Sequence, residues 1–462
     1  MTLDPPTLRH ALGHHLLALP DPPPPPARGV RFHSDRVRPG DAFVALAGAT
    51  THGLRFADDA LARGAAFVLS DRPRPGAVIV DDAGAALLAL GRFARAAQRG
   101  PVVAVTGSAG KTTTKALLAA ALGAFVSSGN LNTPYALATV LIDAWLATDA
   151  DRALVLELGI DHPGEMARLT ELVRPTHGLV TVIAPAHLEG LGDLDGVARE
   201  KAGVLRAATV GRYAADAAWA RLPADLRDRV QRYRVDPAGR AGGSDADPDA
   251  SGTQTRLTLG RHLAHDDREW LIADIDGRAI EVELPGVGRA LAENALGALR
   301  VAVDLGVPPA TVATRLAAAR LEPGRLSRVR LGDLLLLDDT YNANPASVAA
   351  AFEVLARAPR PHAAVLGSML ELGPAAAEAH RDVGRACLAQ GIDPVWAVGG
   401  PARDIAATCP HARRFIDADA AADAADDLPA TGTLLVKGSR GVRLEVLVAR
   451  LRSTREERPW SR

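Results

Sequence analysis

The chain has 462 residues, 48% hydrophobic and 23% charged, and at ~100–200 residues per domain that length predicts two or three soluble domains, each with ample apolar content for a core. Its 53 Lys+Arg against 54 Asp+Glu exclude the broad basic footprint of a protein that clamps nucleic acid or an anionic membrane surface. Cys387 and Cys409 are too few and too far apart for a disulfide framework or a Cys-x-x-Cys metal site, and read as two buried thiols in a reducing compartment.

The N-terminus places Asp4, Pro5 and Pro6 where a secretory signal would be basic, and Leu16–Leu19 is too short an apolar run for one. No stretch approaches the ~18 apolar residues of a membrane span, so the expected location is the cytoplasm. Aromatics make up only 4%, and the abundance of Ala, Arg, Asp, Gly and Pro reads as a GC-rich coding habit.

Pro22–Pro26 is read as an extended surface segment, because proline lacks the N–H of a helix or central strand. Apolar strands at 41–47, 67–70 and 77–80 around a helical pattern at 57–66 predict a small α/β domain over residues 1–99. From Pro101 the run Val102–Val105 leads into a glycine turn and a helical segment 111–122, the opening of a βα unit. Buried strands at 153–157 and 178–183 continue a parallel sheet, and residues 236–252 read as a polar loop without periodicity. Segments 254–259 and 279–284 look like antiparallel strands, followed by helices over 290–305 and 309–319. Strands at 333–338, 363–366, 395–398 and 433–436 with helices between them predict a doubly wound C-terminal domain from residue 321. The fold expectation is thus α/β in three domains: 1–99, a central parallel-sheet phosphate-loop domain 100–320, and a Rossmann-like domain 321–462.

The sharpest local signal is Thr106-Gly-Ser-Ala-Gly-Lys-Thr-Thr-Thr114 at the strand-to-helix junction. There the glycines turn backbone N–H groups inward around phosphate oxygens, the helix N-terminus adds positive potential, and Lys111 supplies a cation. Thr112 is placed to coordinate magnesium. The first glycine lies four residues before the lysine, not six as in the usual Walker A loop, so an ordinary βα turn is the competing reading. Glu157, at the end of its strand and followed by Gly159, and His187, after the next strand, sit where α/β sheets place ligands. Singly each reads as structural; together, opposite a phosphate loop, they form candidate ligands for a hard divalent ion.

Further segments accompany the loop in order: Gly129-Asn-Leu-Asn132, Ala186-His-Leu-Glu-Gly190, Pro323-Gly-Arg-Leu326, Asp338-Asp-Thr-Tyr-Asn-Ala-Asn-Pro345, Leu370-Glu-Leu-Gly373 and Leu435-Val-Lys-Gly-Ser-Arg440. This ordered set, spread over nearly the whole chain, resembles the ATP-dependent Mur ligases of peptidoglycan synthesis, whose short phosphate loop is shared with folylpolyglutamate synthases. Gly129-Asn-Leu-Asn132, the Asp338–Asn344 stretch and Lys437-Gly-Ser-Arg440 are similar to the branch that adds a dipeptide, and the Asp-Asn-Pro-Arg signature of the diaminopimelate-adding branch is absent.

The resemblance implies a UDP-sugar domain, an ATPase-like domain and a closing domain. It implies ATP and Mg2+ as cofactors, and UDP-N-acetylmuramoyl-tripeptide and D-alanyl-D-alanine as partners of a monomer. Gly107, Ser108, Ala109, Gly110, Lys111, Thr112 and Thr113 would hold the ATP phosphates, and Asn294 the adenine. Arg325 would reach the γ-phosphate by hinge closure near Leu321, and Asp339 the ribose, with Asn342 and Asn344 nearby. Thr112 and Glu157 would bind one magnesium and His187 a second. Lys201 falls where the family carries a carbamylated lysine, its competing reading being a solvated helix lysine beside Glu200. Ser34, Asn130, Asn132, Lys437, Ser439 and Arg440 would contact substrate.

Three positions depart from the family pattern: Asp35 with Arg36 following it, Ala290-Leu291 where His-Asn is usual, and Ser368 in place of an aspartate. Two alternatives stand beside the dipeptide-adding reading, a sibling ligase such as a folate polyglutamylating enzyme and a nucleotide-binding paralogue without catalysis.

Overall fold

A computed structural model describes residues 1–48, 50–126, 129, 131–147, 149–236, 257–265 and 268–458. They form three sheets with helices on their faces, the three-unit α/β architecture anticipated above.

The first sheet runs in the order Leu16–Ala18, Val78–Val80, Phe67–Ser70, Asp41–Val44, Gly29–Arg31, all parallel except the Leu16–Ala18 edge. That edge strand comes from the apolar run read as too short for a secretory signal; neither it nor Gly29–Arg31 was anticipated as a strand. Helix Ala83–Ala97 follows, its N-terminus capped by Asp82, whose carboxylate accepts from the Ala85 N–H at 2.7 Å. This helix packs against helix Pro134–Leu146 of the next unit, so one continuous apolar core runs from Leu3 to Ala319 beneath the first two sheets.

The central sheet has nine strands. From Phe125–Val126 through Leu154–Glu157, Val102–Thr106, His177–Val180, Gly211–Ala215 and Gln231–Asp236 to Leu257–His265 the pairing is parallel. Two antiparallel strands, Arg268–Ile275 and Arg278–Glu283, complete it. The antiparallel strands expected at 254–259 and 279–284 fall, over the described residues, in Leu257–His265 and Arg278–Glu283, each antiparallel to a strand that was not anticipated. Arg268–Ile275 lies between them, and the overlooked signal is Asp276-Gly277, both at positive φ (57° and 79°), the two-residue hairpin turn whose twist matches its strands. The polar loop expected at 236–252 falls, beyond Asp236, outside the described residues.

The third sheet has the order Arg413–Phe415, Val395–Val398, His362–Gly367, Thr431–Lys437, Asp333–Asp339, Ser327–Leu331, Glu457–Arg458. Alternate residues feed opposite cores: Leu335, Leu337, Ala364 and Leu366 one face, Leu334, Leu336, Ala363 and Val365 the other, as period-2 geometry requires of a sheet covered on both sides. The antiparallel strand Ser327–Leu331, reached through a turn at Gly332, was not anticipated. Cys387 and Cys409 are buried free thiols. No helix among the described residues is long and apolar enough to cross a membrane.

Candidate functional site

The carboxyl ends of strands of the central sheet and of the third sheet line a cavity of about 1040 Å³. The phosphate loop forms its floor. Val102–Thr106 is buried throughout and runs into the turn at 107–110 and helix Lys111–Leu122. Two glycines are needed there: Gly107 and Gly110 have φ of 154° and 80°, and a Cβ would lie 1.9 Å from Thr181 Oγ1 at the first and 2.8 Å from Asn294 Oδ1 at the second. Thr181, which the sequence reading missed, donates its hydroxyl to Ala109 O at 2.5 Å and braces the loop from the neighbouring strand. Gly107→Ala is expected to weaken ATP binding roughly 10- to 100-fold, the equivalent of ~1–3 kcal/mol of backbone strain and displaced Thr181; equilibrium titration with ATP checks it.

Lys111 turns its ammonium back onto Gly107 O at 2.9 Å; desolvation pushes its pKa down, against the pull of Glu157. Thr112 Oγ1 donates to Glu157 Oε2 at 2.9 Å, and Arg325 Nη2 donates to Thr112 Oγ1 at 2.6 Å. Arg325 crosses from the third unit, stacked on the Tyr341 ring 3.6 Å from its centroid, with its Nε buried and unpaired. Asn344 crosses with it. Its side-chain oxygen caps helix Pro345–Leu355 while its Nδ2 donates to Ser108 O at 3.0 Å.

Asn132 and Asn294 line the cavity, and Asn132 packs so closely on Gly159 that a Cβ there would lie 2.3 Å from its Nδ2. Near Asn294 the wall is made by Ala290, Leu291 and Glu293, whose carboxyl is pushed up to about 6 by burial. At the opposite end His187, held at φ 54°, places Nδ1 2.9 Å from Asp161 Oδ1 and 2.6 Å from Glu371 Oε2. These two carboxylates hold its pKa above the ordinary imidazole value. Neither acid was singled out in the sequence, although Glu371 lies inside a segment quoted for the resemblance.

Lys201 has no exposed surface and its Nζ has no hydrogen-bond partner, which overturns the reading of a solvated lysine. Burial, and then the nearby Lys111 charge, lower its pKa to about 7.

Other expected contacts are placed differently. Lys437 is buried, pairing with Asp339 Oδ2 and donating to Asn342 O at 3.0 Å, while Asp339 Oδ1 accepts from the Leu326 N–H at 3.1 Å. Lys437 therefore organises the loop at 339–344 instead of presenting a free ammonium. Ser439 likewise has a structural partner, accepting from the Leu370 N–H at 2.9 Å, and Lys437, Ser439 and Arg440 all line the cavity. Ser34 sits on the short helix Ser34–Arg36 of the first unit and does not line the cavity; Asn130 lies outside the described residues.

As a metal site the donors are chemically apt. A hydroxyl and a carboxylate oxygen, Thr112 and Glu157, adjoin the phosphate loop, and the ligating atoms of Asp161, His187 and Glu371 lie within 4.8 Å of one another.

Comparison with known proteins places this geometry. The Mur ligase middle domain matches residues 105–302, the Mur ligase glutamate ligase domain 324–440, and the Mur ligase family catalytic domain 26–121. The chain is 34% identical over 427 residues to the UDP-N-acetylmuramoyl-tripeptide–D-alanyl-D-alanine ligase of Escherichia coli K12, covering 90% of this chain and 92% of that protein. It is 32% identical over 411 residues to the enzyme of the same name from Mycobacterium tuberculosis, covering 80% and 77%. Among solved structures, MurF from Acinetobacter baumannii superposes with TM-score 0.81 at 25% identity, over 98% of this chain and 99% of that one. MurF from Thermotoga maritima in complex with ADP gives 0.75 at 26%, over 92% and 97%. The three-unit fold, the phosphate loop and this full-length similarity agree: the chain belongs to the Mur ligase family.

Proposed function

We propose that the protein is an ATP-dependent ligase that joins D-alanyl-D-alanine to UDP-N-acetylmuramoyl-tripeptide in peptidoglycan precursor synthesis, a cytoplasmic step serving cell shape and division, and that it acts as a monomer. The supporting observation is the pair Arg325 and Asn344, which close from the third unit onto Thr112 and Ser108 of the phosphate loop. Full-length similarity to ligases that carry this name adds to it. In this reading residues 1–99 hold the UDP-sugar, 100–320 ATP, and 321–462 the closing unit.

A carboxylate is a poor electrophile. The γ-phosphoryl group of ATP passes to the tripeptide's terminal carboxylate, giving an acyl phosphate and ADP; the dipeptide amine then attacks the carbonyl carbon and inorganic phosphate departs. Lys111 and Arg325 neutralise charge on the transferring group, and the backbone of Gly107–Thr113 orients it. Asn294 and the adjacent wall seat the base. Thr112 and Glu157 would hold one magnesium ion and His187 with carbamylated Lys201 a second, supplying further charge neutralisation at the phosphates.

The test is phosphate release from ATP given UDP-N-acetylmuramoyl-tripeptide with and without D-alanyl-D-alanine. Release that requires both substrates, stops on chelation and returns with Mg2+ is expected. Release that depends on folate, or on neither substrate, would overturn the reading.

A further inference from the structure

Lys115, one helical turn beyond Lys111, was not singled out by any sequence pattern, yet its side chain is only 2% exposed. Burying a lysine is costly unless its charge is met in the interior. Its ammonium is met from three directions: it donates to Gly129 O at 2.7 Å, lies 3.8 Å from Glu157 Oε2, and lies 3.8 Å from Glu322 Oε1. These partners belong to different functional parts. Gly129 opens the segment assigned to substrate contact, Glu157 is hydrogen-bonded to Thr112 of the phosphate loop, and Glu322 sits between helix Pro309–Ala317 and the first strand of the third unit. Three residues beyond Glu322, Arg325 reaches Thr112.

From this junction we infer that Lys115 is a positioning residue that ties closure of the third unit to the placement of Gly129, at the start of the substrate-contacting segment, and of Glu157. Lys115 does not line the cavity, so it acts through its partners. With the third unit docked, Glu322 shares the ammonium with Glu157. With the third unit swung away, Lys115 is left to Glu157 and Gly129 alone, and the orientation of both shifts. Closure is thereby sensed on the substrate side of the phosphate helix as well as on its nucleotide side. The kinetic part of this inference rests on the ligase reading above; the exchange part does not.

Two variants test it, Lys115→Met and Glu322→Gln, singly and combined. A misplacement of this kind costs roughly 10- to 100-fold in kcat. Each single variant is expected to lose that much, with KM for ATP nearly unchanged and KM for the UDP-substrate raised in Lys115→Met. The double variant should be no slower than Lys115→Met alone, because one linkage is broken in all three. A purely structural cation predicts instead a lowered Tm with ordinary kcat per folded molecule, or losses that multiply; either result overturns the proposal. Glu322→Gln removes only a part-exposed charge and keeps the test intact should Lys115→Met fold poorly.

Amide hydrogen exchange supplies the second readout. Glu322→Gln is expected to accelerate exchange around Gly129 as well as in the linker 320–326, and unchanged exchange around Gly129 would sink the linkage. Exchange is measured whether or not the assigned substrates turn over, so an inert wild-type enzyme would count against the assigned reaction and leave this result standing.

Discussion

Arg325→Ala is expected to lower kcat by about 10³-fold or more, the scale on which a charge-neutralising arginine acts in phosphoryl transfer, while KM for ATP changes little. The asymmetry follows from where each contact originates. In the proposed reaction the nucleotide's phosphates would be gripped by the loop at 107–113, including Lys111, all on the central unit. Arg325 comes from the third unit, lines the cavity, is held by the Tyr341 ring and by Thr112 Oγ1, and keeps one buried donor, Nε, unpaired. A donor held ready in this way gains most when charge develops in the transition state, so its loss appears in kcat. Arg325→Lys should rescue poorly, since a single ammonium cannot both stack flat on Tyr341 and present a fork of donors. Wild-type turnover in the alanine variant, by steady-state phosphate release, would remove Arg325 from the chemistry and with it the requirement for closure.

The phosphate loop was legible because its chemistry is local: glycines, lysine and threonine at a strand-to-helix junction have few other uses. Glu157 was legible for a related reason, standing at the carboxyl end of a strand. Asp161, Glu322 and Glu371 were not, because each acquires its role from a partner distant in the chain, His187 or Lys115, and carboxylates on surface segments look alike in sequence. Lys437 and Lys201 show the converse. Residue type suggested a free cation at Lys437, but packing commits it to Asp339, and only burial reveals that Lys201 has nothing to pair with. The departures from the family pattern also acquire physical content. Ser368 is buried, its Oγ accepting from the Ala402 N–H at 3.1 Å, so a neutral hydroxyl suits a site where a carboxylate would need a cation. Leu291 joins the continuous core instead of offering a polar contact, leaving Arg289, Glu293 and Asn294 as polar groups of that wall. For Asp35, exposed on the first unit, the structure offers no explanation.

Lys201 carries the last prediction. Carbamylation requires an unprotonated amine, which attacks carbon dioxide to give a carbamate and release a proton. An ordinary lysine is almost wholly protonated at neutral pH, but burial and the Lys111 charge bring Lys201 to about 7, so near pH 8 most of the population is neutral and nucleophilic. A carbamate would also give the Lys201 terminus oxygen acceptors in place of an unsatisfied ammonium. With 13C-labelled bicarbonate, a carbamate carbon resonance is expected in the wild-type enzyme at pH 8 and not in Lys201→Met, which should have lost at least about 10²-fold in kcat if the carbamate acts as a metal-binding anion. The same substitution should stabilise the metal-free fold, and the sign is fixed by linkage. The folded-state pKa lies below the unfolded value of 10.5, so between these values the unfolded chain binds the extra proton and stability rises with pH. The penalty of the native lysine, on the order of 3 kcal/mol or more, is therefore complete below pH ~7 and fades as pH approaches that of a free lysine. Chemical denaturation at pH 6.5 should find Lys201→Met more stable than wild type, with the gap closing toward pH 10. A variant both less active and less stable at pH 6.5, together with no labelled carbamate in the wild type, would leave Lys201 as a packing residue and remove it from the metal site.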